Sequence, residues 1–143
     1  MPELMSYLIY DGNCAEALHF YEHALGARIE VLIRGADTPM AARIPPEHAD
    51  RVVHGRLALP GGGMLYAGDC QAHVDYLGIH GVRMTLNFES AVQAIDAFNG
   101  LAEGGEVTMP LQQTFWAVVS GMVTDRFGVP WMINGELLPS AAS

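Results

Sequence analysis

Lysine is absent from this chain; all seven basic residues are arginines. That excludes a Schiff-base lysine and the lysine of a Walker phosphate loop. Acids outnumber bases 16 to 7, giving a net charge of −9. No run of arginines is present, so the basic footprint of a nucleic-acid binder is missing. Only two cysteines occur, Cys14 and Cys70, too few for a disulfide framework, and they are expected to stay reduced in a cytoplasmic protein. No apolar run reaches the roughly 18 residues of a membrane span. Met1-Pro2-Glu3 opens straight into an apolar strand, so neither a signal peptide nor a membrane partner is expected. Charged residues are also scarce, at 16%, while 50% of the chain is apolar. With a mean hydropathy of +0.19 the chain is no disordered segment, and its apolar surface calls for cover by a cavity or a partner.

What is there repeats. Leu4 to Tyr10 is a short apolar and aromatic run and predicts a strand. Asp11-Gly12 turns the chain, and Asn13 precedes Glu16 at capping-box spacing. Cys14, Ala17, Leu18, Tyr21, Ala24 and Leu25 then follow the helical period up to Gly26. Cys14 therefore fits a core position better than a nucleophile. Ala27 to Ile33, Val52 to Leu59 and Met64 to Ala67 predict three further strands, with a proline-bearing loop over residues 38–50. The order then restarts. Val82 to Phe88 predicts a strand, Ser90 and Gln93 a second capping box, and Ala94, Ile95, Phe98, Leu101 and Ala102 one helical face. Glu106 to Met109, Phe115 to Val123 and Pro130 to Asn134 complete the set. An offset of 78 aligns Tyr10 with Phe88, Phe20 with Phe98 and Gly26 with Gly104. The expected organisation is one domain over 1–143 holding two βαβββ modules, 4–67 and 82–135, joined by a linker over 68–81. Its class is α+β. One helix covers one face of each predicted sheet, and pairing the modules around the other faces would enclose a shared cavity.

Three stretches, "YLIYDGNCAEALHFYEHALGA", "VVHGRLALPGGGMLYAGD" and "EGGEVTMPLQQTFWAVVSGMVTDRFGVPWMING", span nearly the whole chain. In them the sequence resembles the vicinal oxygen chelate superfamily of glyoxalase I, bleomycin-resistance proteins and extradiol dioxygenases, and within it the PhnB-like branch. The resemblance implies the paired-module fold, a homodimer and a cavity, but no single reaction. Some PhnB-like sequences carry a 3-demethylubiquinone-9 3-methyltransferase label. The residues give that label no support: the one glycine run, Gly61-Gly62-Gly63, lies between two predicted strands and reads as a hairpin turn.

In metal-dependent members of the family the first and last strands of each module supply one ligand each. The resemblance puts Ser6, give or take one residue, at the first of those positions, Tyr66 near the second, Arg83 at the third and Met132 at the fourth. An arginine repels a divalent ion, and no acid stands nearby to offset it. The expectation is a site without metal or other cofactor, a divalent metal being the alternative. Strand alternation then gives the concave wall as Ser6, His54, Arg56, Tyr66, Arg83, Thr85, Asn87, Met132 and Asn134. Val53, Leu57 and Leu59 are expected on the opposite face, under the helix, as are Trp131 and Ile133. Arg56 and Arg83 suit an anionic or carbonyl-rich ligand, unless they merely pair with acids. His54 is the candidate for proton transfer, unless it is hydrogen-bonded within the sheet or at a dimer contact. Trp116 could stack on a ligand or be structural. His19 and His23, one turn apart, read as a solvated face; His48, His73 and His80 fall in loops without pattern. The leading expectation is a protein that binds or transforms a small polar or anionic molecule. The alternatives are a metal-dependent lyase, isomerase or dioxygenase, and a protein that sequesters a drug or metabolite.

Overall fold

A computed structural model describes residues 1–71 and 74–139, which leaves His73 outside the described residues. The chain divides into two compact units, Met1–Gly78 and Ile79–Ser143. Each unit is an α+β module of one helix and four strands. The first contains β1 (Ser6–Tyr10), α1 (Cys14–Leu25), β2 (Arg28–Arg34), β3 (Val52–Ala58) and β4 (Met64–Asp69). Its strands lie in the order β1-β4-β3-β2, with β1 parallel to β4 and the other pairs antiparallel. The second contains β5 (Met84–Phe88), α2 (Ala91–Ala102), β6 (Glu106–Gln112), β7 (Ala117–Thr124) and β8 (Pro130–Leu137), ordered β5-β8-β7-β6.

The two modules obey one register. Ser6 pairs with Leu65 as Met84 pairs with Trp131. The offset is thus 78 through the first strand of each unit and 66 at the last. The difference is absorbed between β2 and β3. There residues 35–51 form three short 3₁₀ turns, where the second unit has only residues 113–116.

In each unit the helix buries one sheet face. Cys14, Ala17, Leu18 and Tyr21 of α1 are buried with Tyr10, Leu57 and Leu65. On α2 the buried stripe is Ala94, Ala97, Phe98 and Leu101. Ile95, expected on that face, is 38% exposed, and Ala97 takes the inner place. Each such Leu or Phe contributes about 1.5–3 kcal/mol on burial. The helices come close because the third strand of each sheet has glycine beneath them. A Cβ on Gly55 would meet the Leu18 side chain at 2.9 Å, and one on Gly121 would meet Phe98 at 2.7 Å.

The helix starts differ from expectation. Asn13 makes no side-chain cap. Asp69, at the end of the parallel neighbour β4, takes the amides instead, its Oδ1 accepting from Gly12 N–H at 2.8 Å and Cys14 N–H at 3.0 Å. A full negative charge at a helix start is a stronger acceptor than a neutral amide side chain. Ser90 does cap α2, accepting from Gln93 N–H at 3.4 Å. Glu136, after the parallel neighbour's core positions, adds a bond from Ala91 N–H at 3.0 Å and adopts φ 58° to do so.

Strand ends shift too. β1 and β5 begin two residues later than expected, at Ser6 and Met84, and β7 begins at Ala117, past Trp116. β6 runs on through Pro110, which an edge strand tolerates because one side needs no ladder. On β3 the expected alternation fails at Val53, which is 50% exposed while Val52 is 1% exposed. Ile33 pairs with His54 but Arg34 pairs with Val52, so Val53 is the extra residue of a β-bulge.

Candidate functional site

On the first unit's sheet, the face away from α1 is set by register. Tyr7 on β1 lies opposite Tyr66 on β4, and Tyr66 lies opposite Arg56 on β3. The first-strand residue of this row is therefore Tyr7, not Ser6. Ser6 pairs with buried Leu65 and shares its side of β1 with Leu8 and Tyr10, which pack beneath the helix. Leu8 and Tyr10 are buried, and that packing is what turns Tyr7 outward.

The Tyr7 hydroxyl donates to the Val53 carbonyl at 3.1 Å, at the bulge. Its ring lies over Gly68, where a Cβ would come within 2.8 Å of Tyr7 Oη. Burial, with a smaller contribution from Cys14, raises the Tyr7 phenol above its ordinary value, so it remains a donor. The His54 ring stands 5.9 Å from the Tyr7 ring and 5.3 Å from that of Tyr66, edge-on to the latter. The Arg56 guanidinium carbon sits 5.2 Å from the Tyr66 ring centre, a cation–π distance. Neither His54 nor Arg56 forms a hydrogen bond or ion pair with another described residue. The first unit therefore brings His54, Arg56 and Tyr66 together and adds Tyr7.

In the second unit Thr85 pairs with Met132, and Asn87 with Asn134. Met132 and Asn134 in turn pair with Met122 and Ser120 on β7. Asn134 is buried, and its amide makes three hydrogen bonds. Oδ1 accepts from Ser120 Oγ at 2.7 Å and from Trp116 Nε1 at 3.0 Å, while Nδ2 donates to Asn87 Oδ1 at 3.0 Å. Trp116 is thereby pinned through its indole N–H, and Ser120 joins a network that strand assignment alone did not include. Arg83 lies one residue before β5, exposed, and has no partner among the described residues.

The paired first- and last-strand residues are Tyr7 with Tyr66 and Thr85 with Met132. Phenol, hydroxyl and thioether groups make a poor set for a divalent ion. Among the described residues no three His, Cys, Asp or Glu side chains converge to hold a metal ion. His19 and His23 are both exposed on α1, and His19 contacts Glu22 at 3.1 Å.

Two modules of this topology and these open faces define a vicinal oxygen chelate protein. The chain belongs to the Glyoxalase/Bleomycin resistance protein/Dioxygenase superfamily, which it matches over residues 4–133. It is 30% identical over 142 residues to protein YjdN of Escherichia coli strain K12, spanning 94% of this chain and 95% of that one. The crystal structure of protein PA1353 from Pseudomonas aeruginosa is similar at 42% identity and a TM-score of 0.86, covering 95% of this chain and 98% of that chain. The PhnB protein of Bacillus cereus shares the fold at 19% identity and a TM-score of 0.76, over 94% of this chain and 99% of that chain.

Proposed function

We propose that this protein binds a small organic anion or carbonyl-rich molecule through the open sheet faces of its modules, without a divalent metal. The observation that carries this reading is the pair Arg56 and His54. Both have polar groups without a hydrogen-bond partner among the described residues; His54 stands beside the rings of Tyr7 and Tyr66, and Arg56 over that of Tyr66. A guanidinium binds a carboxylate or phosphate through two parallel N–H bonds, and the aromatic rings give the ligand's body a surface. His54 is the group placed to exchange a proton with that ligand. On the other module's own sheet face, Arg83 is a further guanidinium without a hydrogen bond or ion pair to a described residue, beside the row of Thr85, Asn87, Met132, Asn134 and Trp116. We further propose a homodimer in the cytoplasm. Apolar side chains left exposed on the first sheet, Ile9 at 40% and Val53 at 50%, support the first part. Two free, buried thiols support the second.

A thermal-shift screen of organic acids and phosphates tests the ligand class. Hits are expected that Arg56→Ala and Arg83→Ala each weaken by about tenfold or more, the worth of a charge-assisted hydrogen bond. Hits that both variants leave unchanged would overturn the assignment.

A further inference from the structure

The first unit holds a cavity beneath a connection longer than its counterpart in the second. Its roof is the 35–51 connection, closed at the base by Gly35 N–H to Arg51 C=O and Ala36 N–H to Ala49 C=O, both 2.9 Å. Beneath it lies a space of about 440 Å³, in the range of small-molecule sites, with apolar walls from Met40, Ile44, Pro45, Val52 and Val53. The second unit's short 113–116 connection has no such roof.

Most polar groups around this cavity are already committed. Asp69, its one acid, accepts from three backbone amides: Gly12 and Cys14 at Oδ1, and Val52 at Oδ2, the last at 2.8 Å. Arg51 donates to Asp11 at 3.0 Å, to the Cys70 carbonyl at 3.0 Å and to His48 Nδ1 at 2.7 Å. The Cys70 thiol donates to Asp11 at 3.4 Å, and burial, with Asp11's hydrogen bond and charge, raises that thiol above its ordinary value.

Three groups remain: the side-chain amide of Gln71, exposed and able both to donate and to accept, and two donors. Arg43 is exposed and makes no hydrogen bond or ion pair with a described residue. His48 accepts from Arg51 at Nδ1, so its proton resides on Nε2 as an N–H donor. Apolar walls, a cation, a fixed N–H donor and no free carboxylate suit one kind of guest. We propose that this cavity is a second ligand site, separate from the sheet face that carries His54 and Arg56, and that it takes a small organic anion with a flat apolar body, such as an aryl carboxylate.

The test is an amide NMR titration of the full chain with naphthoate, and with naphthamide as the neutral isostere. Naphthoate should give saturable shifts at Ile44, Val52 and Val53 with a Kd below about 1 mM, and naphthamide should bind several-fold more weakly. Arg43→Gln should weaken naphthoate by about fivefold, as befits an exposed charge pair. Ile44→Trp should abolish it by filling the space, and Arg28→Gln, at an exposed arginine outside the cavity lining, should leave it unchanged. Because Arg43 is exposed, its variant carries the test even if Ile44→Trp unfolds. No saturable shift by about 10 mM would overturn the proposal. So would shifts that Arg56→Gln removes while Arg43→Gln leaves them, since these report the sheet face instead.

Discussion

Asp125 is 3% exposed, and three donors converge on its carboxylate. Oδ1 accepts from Phe127 N–H at 2.8 Å and Val129 N–H at 3.0 Å, and Oδ2 from Trp131 Nε1 at 2.8 Å. This one side chain therefore fixes the turn that launches β8 and orients the largest core residue. Asp125→Ala leaves those donors buried without an acceptor and should lower unfolding stability by about 3 kcal/mol, read as a fall in the urea midpoint. Cys14 allows a second prediction at this scale. Burial, with Asp69's charge adding, pushes its thiol from the ordinary 9.0 up to about 12. The folded state thus holds the proton more tightly than the unfolded one. Its contribution is fully present below pH 9.0 and is lost as pH rises towards about 12. Cys14→Ala should therefore be less stable than the parent at neutral pH, and the gap should narrow in urea titrations as pH rises through that window. If the gap stays constant, the thiol is not protected in the fold. At this scale the turn was legible, because Asp125 and Gly128 are local signals; Gly128 takes φ 88° and donates to the Asp125 carbonyl at 2.9 Å. The three-donor role of Asp69 was not legible, because its partners lie up to 57 residues away in the chain.

Helix and sheet meet through glycine in both modules, so the contact distance is a property of the elements rather than of single side chains. In the second, Gly135 on β8 faces Ala94 and Ala91 of α2; an added Cβ would fall 2.8 Å from one and 2.9 Å from the other. Neither neighbour has a flexible end that could give way. Gly135→Ala should cost about 2 kcal/mol as α2 is pushed from the sheet, while Gly61→Ala, whose Cβ would meet nothing within 4 Å but sits at φ 90°, reports backbone strain alone. Equilibrium unfolding of the two variants separates packing from strain. The order of elements was legible from the sequence because each signal is local: alternation, helical spacing and glycine stops. The Val53 bulge was not, since it exists only in the pairing of β3 with β2. The same limit displaced Ser6 in favour of Tyr7. Within β1 alone the alternation has two possible phases, and helix packing chooses between them.

For the molecule as a whole, a net charge of −9 without lysine leaves few cations, and three of them, Arg43, Arg56 and Arg83, make no hydrogen bond or ion pair with a described residue. That scarcity makes each guanidinium a focus for anions in an otherwise repelling field. Two measurements bear on the whole chain. Protein purified without a histidine tag should contain far less than one equivalent of zinc, nickel, manganese or iron; a stoichiometric ion would overturn the metal-free proposal. Sedimentation at micromolar concentration should give twice the 15.4 kDa chain mass, and a monomer mass would overturn the dimer. The parallel pairing of β1 with β4 also bears on how the chain is made. Ser6 finds its partner at Leu65, so the first strand of this module leaves the ribosome and waits for the last. At about 5–20 residues per second of synthesis, that wait is about 3–12 s. Through it the nascent segment carrying Tyr7 and Ile9 has no neighbour on its sheet edge, and chaperone demand should concentrate there rather than on the hairpins, whose strands emerge almost together.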